Sequence, residues 1–382
     1  MQRKQTEPNI SRYLHTKGRS LGLPIGGNFE LTARCNFDCP MCYVHLKQED
    51  VDARGRELTA DQWIQIAREA RDAGMVFVLL TGGEPFVRKD FFEIYGAMKK
   101  MGLMISINTN GSMLTGEIRR RLIEDPPFRM NVSLYGGCSE TYRTMCGQDA
   151  FDSVVDNIRA LKEAGIDVRI NLSITGHNHQ DLEKIFRISQ ELGVHVKAAS
   201  YMYPSIRVNG EQYGVGDRMG PEDAAACAVQ WDLLRFTPKE FGARARNMHA
   251  LAESADSDCP VELEEGVRCR AGSTSFWMTW DGRMLPCGMM PWPVTLPLES
   301  GFRSAWEKLR QETAKIKAAQ GCTNCPKKDV CAVCAACRIT ETGSFEQVPE
   351  YLCRYTDALI EKTWKAYLER EGKDCEDQKR TD

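Results

Sequence analysis

The sequence has no apolar run approaching the length of a membrane span, which excludes a helical anchor in the bilayer. It has little net charge, −3, so neither a basic field for nucleic acid nor the acidic excess of a disordered chain is present. The stretch from Met1 to Arg19 is polar and of mixed sign. It lacks the apolar centre of a signal peptide, so the expected location is cytoplasmic, with no nucleic acid and no membrane among the partners. Internal repeats are also absent. Cysteine, by contrast, is abundant: there are 16. In a chain read as cytosolic these argue against a disulfide framework, because the cytosol keeps thiols reduced. They are also clustered, three near the start and eight between Cys269 and Cys353. Short fixed spacings of this kind read as metal ligation.

The length, 382 residues, allows two or three domains. Strand-like segments at 28–31, 75–80, 104–108, 130–134, 168–174 and 195–200 alternate with helical patterns at 59–73, 90–101, 115–123, 151–164 and 181–192. Thr59 with Gln62 three residues on reads as a helix start. The apolar run 75–80 suits a strand buried on both faces. Six strands separated by helices imply right-handed crossovers and an α/β fold with a parallel sheet. Periodicity alone leaves a flat doubly wound sheet and an incomplete barrel both open. Beyond Tyr201, Gly210, Gly214, Gly216 and Gly220 suggest loops, followed by a helix at 221–234. From Cys269 the chain is rich in cysteine, glycine and proline, as where metal replaces an apolar core, with a helical insert at 302–319. The expected division is an N-terminal extension (1–26), the α/β unit (27–200), a linker of bridging helices (201–267), a cysteine-rich domain (268–368) and a flexible tail (369–382).

Cys35, Cys39 and Cys42 read C-x3-C-x2-C. Thiolates are the usual ligands of iron–sulfur clusters. Three on one loop can hold three irons of a cubane and leave the fourth without a protein ligand. The alternative is a zinc loop, but structural zinc takes four ligands and only His45 is near enough to supply another. With Tyr43 following, the stretch 34–43 resembles the signature of the radical SAM superfamily. The resemblance implies a 4Fe-4S cluster whose open iron binds the amino group and carboxylate of S-adenosyl-L-methionine (SAM). Reductive cleavage would give a 5′-deoxyadenosyl radical that abstracts hydrogen from substrate. Tyr43 would pack near the adenine.

Thr81-Gly82-Gly83-Glu84-Pro85 follows the second strand directly. Read alone it is a turn with a carboxylate, but it is similar to the family's GGE segment. By that likeness Gly82, Gly83 and Glu84 bind the methionine amino group. Asn110 lies in a segment similar to the family's T-N-G. Ser133, at the end of strand four, stands where relatives contact the SAM ribose. Arg169, with Asn171, is a candidate for the methionine carboxylate or the substrate. The resemblance covers about residues 27–200 and implies a partial (β/α)6 barrel, with SAM at the carboxyl ends of the strands.

The later cysteines are Cys269 and, after x12-G-x4, Cys287, then Cys322-x2-Cys325-x5-Cys331-x2-Cys334-x2-Cys337 and, after a gap, Cys353. Eight thiolates suit two four-iron clusters or, equally by spacing, two four-cysteine zinc sites. The pattern resembles the SPASM domain, a C-terminal extension in one branch of the superfamily, and implies two auxiliary 4Fe-4S clusters, three clusters in all. Cys322, Cys325, Cys331 and Cys353 would hold the outer one, and Cys269, Cys287, Cys334 and Cys337 the inner. The spacing after Cys331 departs from the family's x3, so the roles of Cys334 and Cys337 stay open.

The resemblance implies an oxidoreductase fed by an electron donor such as flavodoxin or ferredoxin. The expected substrate is a peptide, modified or crosslinked oxidatively. A small alcohol, amine or sugar is the alternative, and a zinc or redox scaffold without catalysis the third reading. An extension of about 25 residues is too short for a leader-peptide recognition domain, so a partner protein would supply that role. Sulfatase-maturing relatives carry a catalytic aspartate where this chain has Gly288, which argues against that chemistry. Cys138 and Cys146 flank the loop after strand four and are candidate hydrogen-atom donors. Cys227, Cys259 and Cys375 read as ordinary thiols, Cys259 also as a spare ligand. Tyr135, Glu341 and Glu346 are acid–base candidates.

Overall fold

The structure, a computed structural model, describes residues 9–44, 46, 48–204, 218–253, 266–323 and 325–381, with side chains of the final helix described as far as Glu371. Six parallel strands follow in chain order: β1 (Gly26–Glu30), β2 (Phe77–Thr81), β3 (Met104–Thr109), β4 (Arg129–Ser133), β5 (Val168–Ser173) and β6 (His195–Ala199). Helix α1 (Asn9–Leu21) precedes them. Between them run α2 (Gln48–Arg54), α3 (Ala60–Asp72), α4 (Phe91–Lys100), α5 (Gly116–Glu124), α6 (Ser139–Cys146), α7 (Phe151–Glu163) and α8 (Leu182–Glu191). The capping box at the start of α3 forms as the sequence suggests, with Thr59 and Gln62 satisfying each other's backbone N–H.

The pairing register separates two faces of the sheet. Phe29, Val78, Leu80, Ile105, Ile107, Met130, Val132, Ile170 and Val196 share the outer face and are buried in one apolar core with the helices. The alternate positions are largely polar: Asn28, Ser106, Asn108, Asn131, Ser133, Asn171 and Lys197. Such a face cannot be packed dry without stranding its hydrogen-bonding groups. It lines a lumen instead, which decides for the incomplete barrel. Phe77 and Leu79 border this lumen and are only half-buried. The run 75–80 is therefore covered on one side only, because the barrel has a hollow where a doubly wound sheet has helices.

The sheet does not end with β1. Strand β7 (Ser275–Met278) joins it in parallel, pairing Gly26 with Ser275 through Phe29 with Met278, and β8 (Met284–Leu285) closes an antiparallel hairpin on β7. The spatial order is β6-β5-β4-β3-β2-β1-β7-β8. The cysteine-rich region thus begins as two more strands of the barrel sheet. Phe276 carries the outer face onward against Phe302 and Trp306, at ring distances of 5.2 and 5.9 Å. Both belong to α12 (Phe302–Ala314), which follows the short α11 (Pro297–Ser300). Burying each ring contributes about 1.5–3 kcal/mol. Helix α12 ends short of the expected 319: the N–H groups of Lys315 and Ile316 bond three residues back, to Glu312 and Thr313, and Ile316 O then accepts from Gly266 N.

The segment taken for a linker carries α9 (Pro221–Arg235) and α10 (Pro238–Glu253). After α13 (Gln320–Thr323) and α14 (Ala335–Thr342) comes α15 (Glu350–Thr381), which packs on α9 and α10. Arg354 pairs with Glu222 at 3.0 Å, and Arg246 donates to the Tyr367 hydroxyl at 2.7 Å. Helix α15 continues through the segment set apart as a tail from 369, as far as Thr381. Gly210, Gly214, Gly216, His45 and Cys259 lie outside the described residues, as does the side chain of Cys375. No described helix is long and apolar enough to cross a membrane.

Candidate active site

The cysteine loop leaves the carboxyl end of β1 through a charged brace. Arg34 grips Glu57 with two hydrogen bonds, Nε at 3.1 Å and Nη2 at 2.6 Å, and the Thr32 hydroxyl donates to the same carboxylate. Arg88, almost wholly buried, donates to the carbonyls of Leu31 and Leu58 at 2.9 Å each and pairs with Asp90 at 2.7 Å. Bidentate guanidinium bonds fix orientation as well as distance. The loop returns through Leu46, whose N–H donates to Ala33 O at 3.1 Å and whose side chain packs with Val51 and Trp280.

Cys35 is half-buried. Its sulfur accepts from the Phe37 N–H at 3.4 Å and lies 3.7 Å from the Asn110 side-chain nitrogen. Burial pushes its thiol up to about 12, with the charges of Glu84, Cys42 and Cys39 adding to the shift. Cys39 is buried and shares a hydrogen bond with Cys146, which with burial holds its thiol far above the ordinary range. Cys42 N donates to Cys39 O at 3.0 Å, closing a turn between them. Among the described residues no three cysteine, histidine or acidic side chains converge as ligands of one ion do. The donor set is three soft thiols on one loop, electrostatically coupled, with amide N–H groups aimed at sulfur. That chemistry fits a cluster, which spreads its thiolates over several irons.

The Gly82-Gly83-Glu84 segment lies backbone against backbone on this loop. Gly83 N donates to Thr32 O at 2.8 Å and Glu84 N to Arg34 O at 2.9 Å. A Cβ on Gly83 would stand 2.3 Å from Arg34 O, and Gly82 has φ +155 with Thr32 O 2.5 Å from its would-be Cβ. Glycine is required at both places by contact, and at Gly82 also by conformation. Glu84 is fully buried. It accepts from the Thr109 hydroxyl at 2.9 Å, Asn110 N at 2.7 Å and Phe86 N at 3.2 Å. Burial raises its carboxyl to about 7 despite those donors. Its carboxylate therefore ties β2 to the end of β3. The Asn110 amide continues the tie: Nδ2 donates to Asn36 Oδ1 at 2.9 Å, Asn36 donates to Ser112 Oγ at 2.9 Å, and Ser112 Oγ donates back to Asn110 Oδ1 at 2.7 Å.

The later cysteines fall into two neighbourhoods. Cys322, Cys325, Cys331 and Cys353 feel one another's charge, Cys353 being pushed up by burial and then by the other three. Cys334 and Cys337 lie with sulfurs 3.6 Å apart, and the hydrogen bond between them holds the Cys334 thiol well below its ordinary value. The Tyr203 hydroxyl stands 3.9 Å from Cys334. Cys287 and Cys334 pack on the same small core of Met289, Met290 and Ala335, and Tyr43 joins them there. Cys269 and Cys287 border one cavity.

Residues 29–189 match the model of the Radical SAM superfamily. Those residues form a radical SAM domain. It is similar to an AdoMet-dependent heme synthase of Methanosarcina barkeri (strain Fusaro / DSM 804), 28% identical over 347 residues, 86% of this chain and 95% of that protein. It is 25% identical over 320 residues to a PqqA peptide cyclase of Streptomyces rochei, covering 81% and 83% of the two chains. Its fold matches that of Streptococcus suis SuiB bound to S-adenosylmethionine, with TM-score 0.63, 17% identity and coverage of 92% of this chain and 82% of that one. The same protein bound to precursor peptide SuiA gives TM-score 0.64. The cysteine-rich region from Cys269 onward lies beyond the matched residues, and the chain is an enzyme. A radical SAM domain implies SAM and a 4Fe-4S cluster as cofactors.

Within this radical SAM framework the other predicted residues are placed unevenly. Ser133 ends β4 and bonds the Tyr135 hydroxyl, which is held far above its ordinary value by burial and by Cys39. Tyr43 packs toward Met289 and Cys287 as well as closing the cysteine loop. Arg169 faces the lumen, but its charged partner is Asp167 at 3.9 Å, near Arg129 at the amino ends of β4 and β5. It is not gathered with the cysteine loop. Cys138 is half-buried beside Thr141 and Asp181, at 3.4 and 3.8 Å. Cys146 is fully buried against Cys39. Glu341 is not a free acid or base: Arg218 binds it at 2.6 Å and the Tyr201 hydroxyl donates to it at 2.7 Å. Glu346 is exposed. Sequence reading missed Asn36, Glu57, Arg88 and Ser112. Their roles come from contacts across 23 to 76 residues of chain, for which no local pattern exists.

Proposed function

We propose that this enzyme carries out an oxidative modification or crosslinking of a peptide, with two auxiliary 4Fe-4S clusters handling electrons. Bound together, SAM and the first cluster supply a 5′-deoxyadenosyl radical that takes a hydrogen atom from substrate. Cys35, Cys39 and Cys42 hold that cluster. Gly82 and Gly83 bring the backbone close to SAM, while Glu84 and Asn110 hold the loops around it in place. Ser133 is positioned at a strand end for the ribose. The outer auxiliary set is Cys322, Cys325, Cys331 and Cys353, and the inner set is Cys269, Cys287, Cys334 and Cys337.

The observation that carries the reading is the β7–β8 hairpin. It joins the barrel sheet and has Cys269 before it and Cys287 after it, both bordering the cavity that Asn28 and Trp277 line from the lumen face. The second cysteine set is thus next to the hollow in which substrate would react. A flavodoxin or ferredoxin is the proposed source of electrons, and the cytoplasm the proposed location. The similarity to the peptide cyclase supports a peptide substrate. The similarity to the heme synthase, which extends over more of the chain, favours a small molecule as the second reading. The test is formation of 5′-deoxyadenosine by the anaerobically reconstituted enzyme with SAM and reductant, and its stimulation by candidate peptides against candidate small molecules.

A further inference from the structure

A cleft of about 660 Å³ opens between α1 and β7. Four arginines border it: Arg12, Arg19, Arg268 and Arg270. None of its described lining residues is Asp or Glu. In a chain of net charge −3 such a wall runs against the average. Arg12 and Arg19 lie seven residues apart on α1, two turns, hence on one face. Arg19 is anchored through Nη2 to Cys269 O at 2.9 Å, and a guanidinium has five N–H donors to share. Arg268 and Arg270 bracket Cys269, and Ser275 also lines the cleft, while the Thr274 hydroxyl is bonded to His15 Nδ1 at 2.8 Å.

The cleft is continuous with the barrel. A second cavity of about 280 Å³ shares His15, Asn28, Arg270 and Ser275 with it and runs along the inner face past Leu79 and Ser106. A ligand held by an acidic group at the arginines would therefore extend into the lumen.

We propose that this cleft is a carboxylate-binding subsite for the substrate, which must carry at least one acidic group remote from the atom that reacts. The proposal rests on the lumen being the active site, as read above. Planar guanidinium groups suit carboxylates by forming paired hydrogen bonds. The acidic group can come from an acidic peptide or from a small polycarboxylate, and the chemistry at the arginines is the same. The competing account is that the arginines serve only to balance charge on a cluster at Cys269 and Cys287.

The test is calorimetric titration of the anaerobically reconstituted enzyme, without reductant, by hexaglutamate, citrate, hexaglutamine and inorganic phosphate. We expect hexaglutamate or citrate to bind and hexaglutamine not to. Whichever carboxylate binds more tightly tells peptide from small molecule. Binding weakens as salt is raised. Arg12→Gln combined with Arg19→Gln, both solvent-facing, weakens it about tenfold or more, and Arg268→Gln weakens it in the same direction. Arg120→Gln, on a remote exposed face, serves as control. The proposal is overturned if neither carboxylate binds, if hexaglutamine binds as well, if phosphate alone binds, or if the arginine variants shift only the spectrum of an auxiliary cluster. Because no reductant is present, the outcome is independent of SAM cleavage, which the 5′-deoxyadenosine assay reads separately.

Discussion

The side-chain nitrogen of Asn110 lies 3.7 Å from the sulfur of Cys35. Its oxygen is occupied by Ser112, at 3.0 Å from N and 2.7 Å from Oγ, so the NH2 end is forced toward the cysteine loop. An N–H aimed at a cluster thiolate stabilises the reduced, more negative state. Replacing Asn110 by alanine removes that donor and breaks the link to Asn36. We expect the midpoint potential of the first cluster, read by electron paramagnetic resonance in a redox titration, to move to more negative values. An unchanged potential would show that the contact does not act on the cluster.

Glu84 sets a second expectation. In Glu84→Gln one acceptor oxygen becomes a donor facing Asn110 N and the Thr109 hydroxyl, leaving buried donors unsatisfied at a cost of about 1–3 kcal/mol. The carboxyl is raised from 4.5 to about 7 in the folded chain. The folded state therefore holds the proton more tightly than the unfolded one. Its stabilising effect is complete below the unfolded value and is lost as pH rises through the folded one. The stability advantage of wild type over Glu84→Gln should fall between pH 4.5 and 7 and stay level above, as measured by denaturant unfolding at several pH values.

Gly83→Ala places a methyl carbon 2.3 Å from Arg34 O, an atom of the backbone that cannot swing aside. The segment must separate from the cysteine loop, at about 1–3 kcal/mol or more. We expect a lower unfolding midpoint together with weaker SAM binding. Gly96→Ala, where nothing lies within 4 Å of the added carbon, is the matched control.

Much of this architecture was readable from the chain, for identifiable reasons. Outer-face residues such as Ile105, Ile107, Met130 and Val132 repeat with period two, and Thr59 with Gln62 marks a helix start, so the six parallel strands and helices α3, α4, α5, α7 and α8 were legible within a residue or two, while the short α2 and α6 were unread. The loop of Cys35, Cys39 and Cys42 was legible because its spacing is local. What stayed hidden depends on distant pairing. Nothing near Ser275 announces that it will sit beside Gly26, so the extension of the sheet by β7 was unread. Alternation puts Arg169 on the lumen face but cannot say that Asp167 will hold it at the amino end. Glu341 reads as a free acid until Arg218, 123 residues earlier, is seen to neutralise it. Cys146 reads as a loop thiol until its burial against Cys39 is known.

The two cysteines after β4 should therefore behave differently. Cys146→Ala removes a neighbour of Cys39 and should alter the cluster's spectrum while leaving the identity and stereochemistry of the product unchanged. Cys138→Ala is the variant to examine for incorporation of solvent deuterium, since Cys138 is half-buried and Cys146 is not exposed at all. Loss of deuterium incorporation in the Cys146 variant alone would reverse this assignment.

The most direct measurement compares wild type with a variant in which Cys35, Cys39 and Cys42 are all alanine, each reconstituted anaerobically and given SAM and dithionite. Wild type should release 5′-deoxyadenosine, and the variant should release none while keeping about eight of about twelve irons at its C-terminal cysteines. Release of 5′-deoxyadenosine by the variant, or its absence from fully iron-loaded wild type, would contradict the account.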